Sequence, residues 1–129
     1  MPRRKTDSEL GKVYEPGDSI VTQGDEGDVM YVIQAGEVDI VKQMDGREVL
    51  LGTMGPGDFF GEMALFHSAR RAATVRAVTK VRALTIDRRA LLRRIDQDPQ
   101  LAYKLVESMA GRILELHDRL RTALGEEQP

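Results

Sequence analysis

The chain has 129 residues, 41% hydrophobic and 31% charged, a composition that fits one soluble domain with a real core. Its formal charge of -2 supplies no overall field to recruit nucleic acid or an anionic membrane. The absence of cysteine excludes a disulfide framework and thiolate chemistry. No apolar run approaches the roughly 20 residues needed to cross a bilayer, and the N-terminus lacks the apolar centre of a signal peptide, so a cytoplasmic location is expected.

Residues 1–9, with the basic run Arg3-Arg4-Lys5, read as a solvated tail. A single domain is expected over 10–124, its β part over 10–87. From Lys12 to Asp87 short strands alternate with glycine turns: EPGD (15–18) and GDEGD (24–28) are polar turn clusters, and MYVIQ (30–34) is a β-rich run. QAGE predicts a tight reversal, after which Val38, Ile40 and Lys42 alternate with Asp39 and Val41. Asp45-Gly46 is a strong two-residue hairpin signal, because both central positions favour positive φ, and EVLLGTM is the return strand. GPGDFF (55–60) breaks the pattern, and TVRAV and VRALTI supply two more strands. About eight short strands without intervening helices predict an antiparallel sandwich or barrel.

After Ile86 the texture becomes helical, and two helices are expected over 88–124. Asp87 is a candidate N-cap for RRALLRRI, and Asp98-Pro99 opens a longer helix that can run to about Leu124. Gly125 offers its C-cap, and 125–129 form a polar tail. Ala102, Val106, Met109, Ile113, Leu116, Leu120 and Ala123 follow alternating steps of four and three, a heptad seam. Such a seam serves a helix laid against its own barrel or one paired with a second subunit. Leu101, Leu105 and Leu114 lie off it, which would let one face do each.

The stretch that carries chemistry is FGEMALFHSARRAATV, 60–75. Gly57 and Gly61 allow close backbone approach, and GEMALF is long enough for one or two helical turns, whose N-terminus suits an anion. Arg71 offers a planar fork of donors to two phosphate oxygens. Glu62 only accepts hydrogen bonds, so beside a bound anion it would repel unless it met a donor such as a sugar hydroxyl. Two readings stay open on the residues alone. Glu62 and Arg71 form a salt bridge, or together they grip a ligand carrying both a hydroxyl and a phosphate, as a nucleotide does.

The whole string closely resembles the phosphate-binding cassette of cyclic nucleotide-binding domains, found in regulatory subunits of cAMP-dependent kinase and in catabolite activator proteins. YEPGDSIVTQGDEGDVMYVIQAGEVDIV looks like the first half of that family's β-roll, MGPGDFFGE like the approach to the cassette, and RRALLRRI with the long final helix like its closing helices. The resemblance implies a mainly β protein: an antiparallel β-roll or jelly-roll barrel with a short cassette helix and two closing C-terminal helices. It implies that Glu62 accepts the ribose 2′-hydroxyl, that Arg71 pairs with the cyclic phosphate, and that backbone at Gly61, Met63, Ala64 and Ala72 completes the cradle. Arg70 stands where the kinase subunits commonly have proline and reads as solvated; His67 reads as an exposed loop residue.

Relatives that prefer cGMP often carry a threonine directly after the cassette arginine. Ala72 stands there, so the expected ligand is cAMP, with cGMP the alternative, and no other cofactor is expected. Where catabolite activator proteins present a Thr-Ser pair to adenine, this chain has Leu116-His117. Leu116 is a candidate lid on the purine or a seam residue, and His117 a base contact or an interface histidine.

The expected activity is reversible nucleotide sensing, transmitted through the C-terminal helices, with a candidate homodimer through the helix from Pro99 to Leu124. An enzyme is not expected, because His67 and His117 are the only histidines and no catalytic triad or nucleophile elbow is visible. No helix-turn-helix segment follows Leu124, so DNA binding by this chain alone is not expected. The alternatives are the sensing portion of a larger transcription regulator, kinase or channel, and an interaction module that kept the fold and lost its ligand.

Overall fold

The computed structural model describes residues 11–66 and 69–125. The expected tail 1–9, the reading of His67 and the last four residues lie outside that range. The described chain forms two compact units, divided between Arg88 and Arg89.

The first unit is a stack of short antiparallel strands: β1 (Lys12–Tyr14), β2 (Ser19–Val21), β3 (Glu26–Gly27), β4 (Met30–Ala35), β5 (Val38–Met44), β6 (Arg47–Met54), β7 (Phe59–Phe60), β8 (Ala69–Arg70), β9 (Thr74–Ala77) and β10 (Val81–Ile86). One four-residue helix, α1 (Met63–Phe66), interrupts them. Two four-stranded sheets, β1-β10-β4-β7 and β2-β9-β5-β6, are accompanied by a separate two-stranded ribbon, β3-β8. The expected mainly β architecture with C-terminal helices is present, and the two four-stranded sheets supply the eight strands expected. Among the described residues the short ribbon strands β3 and β8 add two more.

Alternation explains which side chains meet between the sheets. Val75 and Ala77 of β9 are buried while Thr74 and Arg76 are not. They cluster with Ile20 and Val38 of the same sheet, and with Ile33, Phe60, Val81 and Ala83 of the other. The alternation expected through 38–42 breaks: Val38 and Val41 are buried and Ile40 only half-buried. Opposite Ile40 and Val41 stand Gly52 and Leu50, so Leu51 is an extra residue. Such a bulge shifts the side-chain register by one.

The turns follow their sequence signals. Asp45 (φ 53°) and Gly46 (φ 77°) close the β5–β6 hairpin, with Met44 opposite Arg47, the geometry that two positive-φ residues produce. In QAGE, Gly36 has φ 88°, and a Cβ there would fall on the Lys80 carbonyl oxygen and Val81. On the outer face Arg76 forks onto Glu48 at 2.8 and 3.2 Å, which holds the Glu48 carboxyl below the usual carboxylate range.

Arg88, the last residue of the first unit, begins the helix α2 (Arg88–Gln97), and the second unit holds the rest of α2 and α3 (Gln100–Ala123). The Asp98 Oδ1 accepts the Gln100 N–H at 3.2 Å, capping α3, and Pro99 already has helical φ and ψ of -59° and -22°. The helix ends one residue short of the expected Leu124, and Gly125, at φ 75°, donates to the Thr122 carbonyl, a left-handed C-terminal cap. Leu105 is buried, whereas Val106, Ile113, Leu116 and Leu120 of the seam are each more than half exposed.

Candidate functional site

The strand β7 delivers the chain to the site. Phe59 and Phe60 pair with Val32 and Tyr31 of β4, and Gly61 then turns the backbone at φ 80°, a conformation costly for any residue with a Cβ. The following turn is tight: the Ala64 N–H donates to the Gly61 carbonyl and the Leu65 N–H to the Glu62 carbonyl, both at 3.1 Å. This winding turns Glu62, Ala64 and Leu65 inward and leaves Met63 and Phe66 about half exposed. Glu62 has no solvent exposure, and it is the one buried charged side chain among the described residues. Enclosing a carboxylate is expensive unless polar or charged groups compensate it.

Arg71 reaches the same place from the ribbon. Arg70 and Ala69 pair with Glu26 and Gly27, and the Arg71 main chain is clamped on both sides: its N–H donates to the Asp25 carbonyl at 2.7 Å, and its carbonyl accepts the Gly24 N–H at 2.9 Å. The half-buried guanidinium donates through Nη2 to the Val29 carbonyl at 2.9 Å. It lies so close over Gly27 that a Cβ there would occupy the guanidinium's own position, and a Cβ on Gly61 would stand 2.6 Å from Nη1. Below it, the Tyr31 ring centroid is 5.8 Å from Cζ. Of the five N–H donors of an arginine, one is spent on the Val29 carbonyl among the described residues.

The Arg71 guanidinium is thus brought against the Gly61 backbone, and Glu62 is the next residue in the chain. Ala72 is exposed directly after Arg71. Arg70 is exposed, as read, but not simply solvated, because its Nη1 donates to the Gly24 carbonyl at 2.8 Å. Leu116 and His117 lie on α3 in the second unit, both exposed.

Three contributors escape a reading by spacing. Val29, Tyr31 and Gly27 sit 40 or more residues before Arg71 and meet it through the β3–β8 and β4–β7 pairings. The aromatic residue in MYVIQ carried no local signal beyond strand propensity. Among the described residues, no three His, Cys, Asp or Glu side chains are grouped to hold a metal ion, and no helix is long and apolar enough to cross a membrane.

With this geometry in place, known proteins supply the context. The cyclic nucleotide-binding domain family matches residues 11–98. A CRP-like cAMP-activated global transcriptional regulator of Mycobacterium tuberculosis is 34% identical over 117 residues, 90% of this chain and 52% of the relative. A cAMP-dependent protein kinase regulatory subunit of Dictyostelium discoideum is 46% identical over 87 residues, 67% of this chain and 26% of the relative. The crystal structure of the Thermus thermophilus catabolite activator protein superposes with a TM-score of 0.79 at 32% identity, over 87% of this chain and 53% of that one. The chain spans about half the length of the transcriptional relative and a quarter of the kinase subunit. The mainly β fold with C-terminal helices, the buried turn at Glu62 and the family match agree, and the chain belongs to the cyclic nucleotide-binding domain family.

Proposed function

We propose that this chain binds a cyclic nucleotide, cAMP in preference to cGMP, and passes the binding event to its C-terminal helices as a regulatory signal. The observation that carries the reading is the fully buried Glu62, one residue after the Gly61 backbone that the Arg71 guanidinium approaches. A carboxylate acceptor and a guanidinium donor fork match a ribose hydroxyl next to a phosphate. In this reading Arg71 takes the cyclic phosphate and Glu62 the 2′-hydroxyl, with backbone at Gly61, Met63 and Ala72 around the anion. Ala64 contributes only by sharing its N–H, which already donates to the Gly61 carbonyl.

The preference for cAMP is supported by the alanine that follows Arg71, which offers no hydroxyl to a guanine amino group. Calorimetry with both nucleotides tests it: cAMP is expected to bind more tightly, and equal or reversed affinities would contradict the assignment.

Transmission is supported by a link out of the cassette. Arg88, the first residue of α2, donates through Nε to the Leu65 carbonyl at 2.8 Å and through Nη2 to the same oxygen. A shift of α1 on binding would therefore pull on the start of α2. Ligand shifts such an equilibrium only by its differential affinity for the two arrangements. The exposed seam on α3 supports pairing with a second copy, since an apolar stripe of this kind is covered in a coiled coil. Leu116→Asp is expected to turn a dimer into a monomer in sedimentation velocity; an unchanged sedimentation coefficient would remove the seam from the interface. Whether the signal serves a transcription regulator, as in the M. tuberculosis relative, or a kinase is a further part of the proposal, tested by gel shift with the full-length gene product.

A further inference from the structure

An arginine carries much rotamer freedom, and a guanidinium free to wander loses it when an anion docks. Here the guanidinium of Arg71 has two supports within the chain, the Val29 carbonyl and the Tyr31 ring, and their nature matters. The Val29 carbonyl fixes one N–H at 2.9 Å, which sets a direction but leaves the plane free to swing. The Tyr31 ring, 5.8 Å from Cζ, lies within the range at which an aromatic face attracts a cation. A carboxylate in that position would neutralise the charge and occupy the N–H fork. An aromatic face supports the cation and leaves the fork available to an anion.

The ring is itself held. Tyr31 stands opposite Phe60 across β4 and β7, their rings stacked with centroids 5.1 Å apart and planes 15° from parallel. Phe60 is 4% exposed and belongs to the core cluster. Its next two neighbours in the chain are Gly61 and Glu62, so one strand pairing sets both the platform under Arg71 and the start of the turn that bears Glu62.

We infer that Tyr31 is a positioning residue for the anion contact: its ring, backed by Phe60, orients the guanidinium of Arg71 before ligand arrives. The inference rests on the reading of Arg71 as the phosphate contact. Tyr31→Leu lowers cAMP affinity about 3- to 30-fold, whereas Tyr31→Phe, which keeps the ring, stays within about twofold of the wild type. In an Arg71→Lys background, where the ammonium has no plane to orient, Tyr31→Leu adds little further loss.

The test combines calorimetry of these variants with the Arg71 Nε–H resonance of the ligand-free protein. A ring-current shift should be present in wild type and Tyr31→Phe and lost in Tyr31→Leu. Thermal melts monitor folding, and Tyr31→Ile, a better strand former, replaces the leucine variant if that fails to fold. Wild-type affinity in the ringless variant, equal losses in Phe and Leu, or a resonance indifferent to the ring would each overturn the assignment. A wild-type protein that bound no cAMP would sink the ligand reading, while the resonance would still decide whether Tyr31 holds Arg71.

Discussion

Replacing Arg71 with alanine is expected to abolish cAMP binding at micromolar concentrations, a loss of roughly a hundredfold or more. The loss should be specific to binding because of how the residue is attached. Its strand position is held by main-chain bonds to Asp25 and Gly24, which alanine keeps. What disappears is the guanidinium, with its bond to the Val29 carbonyl and its contact with Tyr31. Circular dichroism and the thermal midpoint of the ligand-free variant should therefore stay close to wild type. A variant that bound cAMP normally would remove Arg71 from the site.

The second large effect falls on Glu62. Glu62→Gln keeps the volume of a side chain with no solvent exposure but replaces a charged acceptor by a neutral one. Hydrogen bonds to charged groups contribute about 1.5–3 kcal/mol against about 1 for neutral pairs, so affinity for cAMP should fall roughly tenfold. Stability should be preserved or raised, because a neutral amide is less costly to enclose than a carboxylate. A ligand without the hydroxyl separates this role from a general defect: 2′-deoxy-cAMP should bind wild type and Glu62→Gln with similar affinity. If the variant lost equal ground with both nucleotides, Glu62 would be holding the turn and not the ribose.

Much of this fold was legible because its signals are local. Asp45-Gly46 marks a hairpin by the φ values it needs, and Asp98-Pro99 with Gly125 brackets the long helix by capping chemistry. What was not legible depends on pairing between distant segments. The strands β3, β7 and β8 have two residues each, too few for alternation to be seen, yet they set Arg71 against Gly27 and Phe60 against Tyr31. For the same reason Glu62 and Arg71 could be singled out by type while the salt-bridge alternative stayed open. Nothing in their spacing tells that the guanidinium turns to the Val29 carbonyl. The bulge at Leu51 was also invisible, since a run of alternating residues does not announce where its register slips.

The central claim is that one folded chain carries a cyclic nucleotide site built on Glu62 and Arg71, and titration calorimetry of the wild-type protein with cAMP tests it most directly. The account predicts a saturable heat with one nucleotide per chain and a dissociation constant of roughly micromolar or tighter. Folded protein that gave no saturable heat with cAMP at concentrations of about a millimolar, where binding free energy is only about -4 kcal/mol, would contradict it.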